Sequence, residues 1–199
     1  YETSVRVLLT RDVDTDHGRW RAHVFADDAA RKQHVAMVYG DARRSGQQEA
    51  PLVRIHSECL TGDVFGSRRC DCGPQLDGAM RVIEEARDGI ILYLRQEGRG
   101  IGLENKVKAY ALQDQGLDTV EANLELGFEA DERNFSVAAH MLRSLGITEI
   151  RLITNNPVKA EAMGRLGIVV RERIPIITEP DPLSSGYLAT KRDKMGHLL

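Results

Sequence analysis

The stretch EIRLITNNPVKAEAMGRLGIVVRER, residues 149–173, decides how the chain is organised. Residues Glu149–Thr154 read as a strand, Asn156 as the cap of a helix whose first position is Pro157, and Gly167 as its stop. A second strand over Ile168–Arg173 follows at once. Strand, helix and strand in so few residues form a crossover unit, and a crossover joins parallel neighbours. Part of the sheet is therefore expected to be parallel.

Upstream of that unit, Phe135, Ala138, Ala139, Leu142 and Leu145 fall at helical spacing and end at Gly146. Leu103, Val107, Tyr110 and Ala111 mark another amphipathic helix closing near Gly116. Gln75–Arg87 is a third, carrying Leu76, Met80 and Ile83 before the apolar strand Ile90–Leu94. The first third reads as β: residues 4–9 and 20–25 pair antiparallel across the polar, turn-rich Asp12–Arg19, and His34–Tyr39 and Leu52–His56 flank a polar loop at 40–50. The tail from Pro175 is expected to hold a short helix, with no function assigned to it. The expectation is a mixed α/β (α+β) single domain over residues 1–199, with N-terminal antiparallel strands, then helices and a partly parallel sheet ending in the βαβ unit.

Composition narrows the function classes. With 27 basic and 30 acidic residues the net charge is −3, which gives no general attraction to nucleic acid or anionic lipid. Any anion has to be captured locally. Arg68, Arg69, Arg95, Arg99, Lys106 and Lys108 are the basic residues close enough in sequence to do so, although on their own they read equally well as solvated surface. No apolar run reaches membrane-spanning length, and the N-terminal residues lack a secretory pattern, so a reducing cytoplasm is expected.

The three cysteines, Cys59, Cys70 and Cys72, are the only ones in the chain. Three thiolates leave a tetrahedral zinc ion one open position, the catalytic arrangement. A fourth ligand, with His56 nearest to hand, would close the site into a structural one. Unrelated buried or redox cysteines are the third reading.

The stretch 54–75 (RIHSECLTGDVFGSRRCDCGPQ), followed by 95–102 (RQEGRGIG), 109–116 (AYALQDQG) and 154–157 (TNNP), resembles GTP cyclohydrolase II of riboflavin biosynthesis from about Asp14 to Leu199. The resemblance implies zinc held by Cys59, Cys70 and Cys72. It implies hydrolysis of GTP with loss of C8 as formate and release of diphosphate, giving 2,5-diamino-6-(5-phosphoribosylamino)pyrimidin-4(3H)-one. It also implies a homodimer. Magnesium is expected with the triphosphate, held chiefly by phosphates and water.

Site roles implied by the resemblance are Tyr110 in proton transfer and, in residues 129–133 (EADER), Asp131 as proton acceptor and Arg133 as the nucleophile that holds the guanylyl group. A guanidinium stays protonated, so Arg133 acting only as a charge stabiliser is the competing role. Without the resemblance, Tyr110 reads as core and Asp131 and Arg133 as an exposed pair. Substrate-contacting positions implied by the resemblance are Arg54, Ile55, His56, Ser57, Glu58 and Thr119, and the chemistry of the ligand adds Gln75, Glu97, Gly98, Arg99, Thr154 and Lys159. Glu97 is expected to accept from guanine N1–H and the N2 amine, Lys159 to meet the triphosphate, and Arg68 or Arg69 to balance the thiolates. Two other classes compete: a related enzyme that opens the ring without releasing formate, and a non-enzymatic zinc module that binds nucleotide. The first thirteen residues match the family poorly, and residues 181–186 (DPLSSG) replace an asparagine-rich turn.

Overall fold

The computed structural model describes residues 5–41, 49–129, 131, 133–178 and 182–198. Expectations for Ser4, most of the loop at 40–50, and Asp181 lie outside the described residues. Strands β1 (Val5–Thr15), β2 (Gly18–Asp27), β3 (Lys32–Tyr39), β4 (Leu52–Ser57), β5 (Gly89–Leu94), β6 (Glu149–Ile153) and β7 (Val169–Ile174) form one sheet in the order β1-β2-β3-β5-β4-β6-β7. From β1 to β5 neighbours run antiparallel, and from β5 through β4 and β6 to β7 they run parallel. The helices are α1 (Leu60–Asp63), α2 (Cys72–Ala86), α3 (Gly102–Asp114), α4 (Thr119–Glu125), α5 (Ser136–Ser144), α6 (Pro157–Arg165) and α7 (Ser185–Met195).

The βαβ unit forms as its sequence dictates. Asn156 accepts from the N–H of Val158 at 3.0 Å, Pro157 opens α6, and β6 pairs parallel with β7. The central strands β4 and β5 are buried on both faces. Val53, Ile55, Leu92, Leu152, Met141 and Leu142 pack with α5 and α6 on one side, whereas Leu52, Ile91, Ile153 and Trp20 pack with Ala79 and Ile83 of α2 on the other. Each fully buried aliphatic side chain stabilises the fold by roughly 1.5–3 kcal/mol.

Strand alternation puts Arg54 and His56 on the α2 face together with Leu52. The crossover from β4 to β5 uses α2 on that face, and the one from β6 to β7 uses α6 on the opposite face. Helices therefore diverge beyond β4, opening a crevice at the carboxyl ends of the parallel strands, where doubly wound sheets bind ligands.

Three expectations need correction. The polar segment Asp12–Arg19 is mostly strand, with the turn confined to Asp16 and His17, because Asp12 pairs across the hairpin with Arg19 and Arg21. Helix α4 was not expected, although Asp118 and Glu121 form a reciprocal capping box at its start. In α3 the buried residues are Lys106 and Ala109, whereas Leu103 and Val107 face solvent, so the supposed apolar stripe points the wrong way.

Candidate metal centre and anion cleft

Cys59 follows β4, Cys70 lies in the turn after α1, and Cys72 opens α2. Their three ligand atoms lie within 4.8 Å of one another, with Cys59 Sγ and Cys70 Sγ 3.7 Å apart. None is in a disulfide. Two glycines permit this approach. A Cβ on Gly62 would stand 2.9 Å from Cys70 Sγ and 3.1 Å from Cys59 Sγ, and one on Gly73 would meet Gly62 O at 2.4 Å.

Asp63 ties the loop together by accepting from Cys59 N at 3.0 Å and from Tyr93 Oη at 2.8 Å. It also holds His56, whose Nε2 lies 3.0 Å from Asp63 Oδ1 and whose ring stacks on Tyr93. That pairing takes His56 away from the thiols. Among the described residues the three cysteines alone form a metal-ligating cluster, and three soft donors with no fourth side chain fit a zinc ion that keeps one position open.

The charge beside the thiols comes from an unexpected residue. Lys106 Nζ donates to Cys59 Sγ at 3.1 Å and to Glu97 Oε1 at 2.7 Å. Burial opposes the Lys106 charge, but Glu97 and Cys59 more than offset it and hold its pKa above the ordinary lysine value. Cys59 is the thiol held down, by hydrogen bonds from Cys70 and Cys72 and then by Lys106. Hydrogen bonding to Cys59 in turn pushes Cys70 and Cys72 up. Arg69, expected near the sulfurs, pairs with Asp114 at 2.8 Å and lies over the Tyr110 ring at 5.1 Å.

Above the thiols lies an open cleft with about 1110 Å³ of empty space. Of the expected residues, Arg54, His56, Ser57, Glu58, Gln75, Gly98, Arg99 and Tyr110 line it, as do Thr119, Arg133, Thr154, Lys159 and the three cysteines. Three do not. Ile55 is a core residue whose backbone oxygen accepts from Lys159 Nζ at 3.0 Å. Asp131 is an exposed residue that pairs with Arg133. Glu97 is only 8% exposed, and its oxygens take Leu60 N at 2.7 Å, Gly98 N at 2.9 Å and Lys106. Through these bonds it braces the cysteine loop.

Tyr110 Oη lies 3.3 Å from Thr61 Oγ1, itself 3.7 Å from Cys59 Sγ, and burial raises the tyrosine pKa. At the other end, Arg133 Nε donates to Asp131 Oδ1 at 2.7 Å, and a second guanidinium nitrogen bonds Asp131 Oδ2. Burial opposes the Arg133 charge, yet Asp131 lifts its pKa above the ordinary arginine value. Lys159 is 6% exposed, and its pKa falls well below the usual lysine value because of burial and then of Arg54 and Arg133. No carboxylate pairs with it among the described residues. At this end Lys159, Arg54 and Arg133 outweigh the one carboxylate acting on Lys159, that of Asp131.

A buried chain of polar contacts crosses the cleft. Arg54 donates to Gln75 Oε1 at 2.6 Å, Gln75 Nε2 donates to Asp71 Oδ2, and Lys191 Nζ donates to Asp71 Oδ1 at 2.6 Å. Burial lowers the Arg54 pKa to about 10, against Cys72 and Asp71, which favour its charge. Asp71 sits between two of the cysteines, and Lys191 belongs to α7, so the tail given no function lines the site through Tyr187, Lys191, Met195 and His197. Sequence reading named Lys106 only as one of several basic residues, and it missed that lysine's place beside the thiols, Asn123 and these tail residues. Only a charged or aromatic residue at a helix position facing inward could have flagged them, and that facing is a tertiary property.

The fold and cleft define a mixed α/β protein with a three-thiol cluster compatible with a metal site beneath a crevice lined by cationic side chains. The chain belongs to the GTP cyclohydrolase II family, whose pattern it matches over residues 5–175. It is 54% identical over 195 residues to GTP cyclohydrolase-2 of Proteus mirabilis (strain HI4320), covering 98% of this chain and 96% of that one. With GTP cyclohydrolase-2 of Hahella chejuensis (strain KCTC 2396) the identity is 52%, covering 98% and 93%. With riboflavin biosynthesis protein RibBA of Bacillus subtilis (strain 168) it is 49%, covering 100% of this chain and 50% of the relative. The chain thus spans about half the length of the RibBA relatives it matches. No helix among the described residues is long and apolar enough to cross a membrane.

Proposed function

We propose that this protein catalyses zinc-dependent hydrolysis of GTP, opening the guanine imidazole ring with loss of C8 as formate and releasing diphosphate, a first step toward riboflavin. Supporting this are the family membership and one observation above all: three converging thiols, with His56 committed to Asp63, at the floor of a crevice lined by Arg54, Arg99, Arg133 and Lys159. When bound, a zinc ion held by Cys59, Cys70 and Cys72 would supply an activated water for attack on the purine.

The remaining steps belong to side chains. Tyr110, with its hydroxyl near Thr61 and its pKa raised, holds a proton for the opening ring rather than giving it up to solvent. Arg133 and Lys159 bind the triphosphate, with Thr119 and Thr154 at the cleft wall and magnesium carried in by the phosphates. A guanidinium fixed as a cation by Asp131 favours charge stabilisation at the α-phosphorus over covalent attack. Arg54, Gln75 and the backbone of Gly98 and Arg99 form the wall for the base, with His56, Ser57 and Glu58 at the strand end.

A cytoplasmic enzyme, a homodimer and one domain over residues 1–199 complete the reading. One continuous sheet and the exposed Val7, Leu8, Leu9 and Val13 on its edge strand β1 support the last two. Incubation of metal-loaded protein with GTP, with and without a chelator, tests it by formate and diphosphate released per GTP. Full activity after metal removal sinks the metal role. Ring opening without formate points to an arrested relative, and binding without any change in purine absorbance to a non-enzymatic module.

A further inference from the structure

Helix α7 ends at Gly196, which adopts φ +66°, a left-handed conformation that reverses the chain. The reversal is fixed by two backbone bonds, His197 N to Lys191 O at 3.0 Å and Leu198 N to Asn155 O at 2.9 Å. As a result His197 lines the cleft. Both of its ring nitrogens are shut away from solvent, and neither has a hydrogen-bond partner among the described residues. An imidazole always carries at least one N–H, so an unused donor is held inside the crevice. Buried polar groups are normally satisfied, and the exceptions call for a missing partner.

The surroundings identify that partner. The charges weighing most on the ring are those of Lys191 on α7, Lys159 on α6, Arg133 ahead of α5 and Arg99 in the turn before α3. All are cations, so the missing acceptor is an anion. We propose that His197 is a ligand-contacting residue of this cleft, donating a ring N–H to a phosphate oxygen of an incoming polyphosphate, while α7 and the Gly196 turn position it. Lys191, latched to Asp71 at 2.6 Å, and Lys194, bonded to Glu121 at 2.9 Å, pin the helix from both sides of the cleft. The inference rests on GTP as the substrate only in that the polyphosphate is its tail.

A proton linkage follows. In the cleft as described, burial and then the four cations lower the His197 pKa to about 4, so the ring is neutral near pH 7. A bound polyanion offsets those cations and favours the charged ring, raising the pKa. Binding near pH 6 then takes up protons at His197.

The test is calorimetric titration of metal-loaded protein with magnesium pyrophosphate and, separately, with guanosine, near pH 6 in two buffers of different ionisation enthalpy. His197→Ala should weaken pyrophosphate binding about 10-fold, as expected for a lost charge-assisted hydrogen bond, while leaving guanosine affinity unchanged. It should also remove part of the proton uptake seen with the wild type. His197→Asn, which keeps an N–H donor, should recover affinity but not the proton uptake. Equal pyrophosphate affinity and equal proton uptake in the wild type and both variants overturn the inference. If the wild type binds pyrophosphate with this linkage but neither guanosine nor GTP, the GTP reading falls and the His197 inference stands.

Discussion

The ammonium of Lys106 lies 3.1 Å from the sulfur of Cys59. Three thiolates around a divalent ion leave an excess negative charge, and Lys106 is the cation placed to neutralise it. Lys106→Met should lower metal affinity about 10- to 100-fold, the usual effect of removing a partner that orients and tunes a ligand. Competition with a chromogenic chelator measures this. Undiminished affinity in a folded variant would remove Lys106 from the metal centre.

Gly62 is a packing requirement. A methyl group there meets two sulfurs at 2.9 and 3.1 Å, so Gly62→Ala must push the thiols apart. The expected cost is about 1–3 kcal/mol in the metal-loaded protein, together with less than one bound metal per chain. A thermal melt and metal analysis of the purified variant report both.

Tyr110 and Arg133 should divide the two reactions. Tyr110→Phe keeps the ring beneath Arg69 and should fold normally, but release formate about 10²- to 10⁴-fold more slowly. Arg133→Lys loses the two-pronged contact with Asp131 and should slow diphosphate release more than ring opening. With the guanidinium held as a cation, mass spectrometry of acid-quenched wild-type turnover should find no covalent guanylyl adduct.

Lys159 sets stability against function. Its folded pKa lies well below the ordinary 10.5, so between the two values the unfolded chain binds the extra proton and stability rises with pH. Lys159→Met should therefore stabilise the ligand-free protein, most at low pH and least as pH approaches 10.5. The same change should weaken pyrophosphate binding roughly 30-fold or more, about 2 kcal/mol. Denaturant titrations across pH would refute the assignment if the wild type were the more stable at low pH.

What the sequence makes legible is what local chemistry encodes. Asn156, Pro157 and Gly167 punctuate α6, and the spacing of Cys59, Cys70 and Cys72 leads straight to the thiol cluster. Strand β1 was read too short because Asp12 and Asp14 look like turn residues, yet cross-strand pairing with Arg19 and Arg21 makes them strand. Helix α3 was read with the wrong face inward because apolar Leu103 and Val107 outrank lysine in any hydrophobic pattern. The burial of Lys106 is dictated by Glu97 and by Cys59, the latter 47 residues away and outside any local window. Glu97 was read as a base-reading carboxylate, and its bracing bond to Leu60, 37 residues away, was not legible locally. The contribution of α7 was invisible because Lys191 and Asp71 stand 120 residues apart.

That separation has a temporal meaning. At a ribosomal pace of about 5–20 residues per second, roughly 6–24 s pass between synthesis of Asp71 and of Lys191. During that interval the nascent thiols emerge without the lysine that will later clasp their turn, exposed to oxidants and to whatever metals the cell offers. A metal ion taken up by these thiols would thus be acquired partly before the polypeptide is finished, so metal supply during expression should weigh on the quality of the preparation as heavily as metal added afterwards.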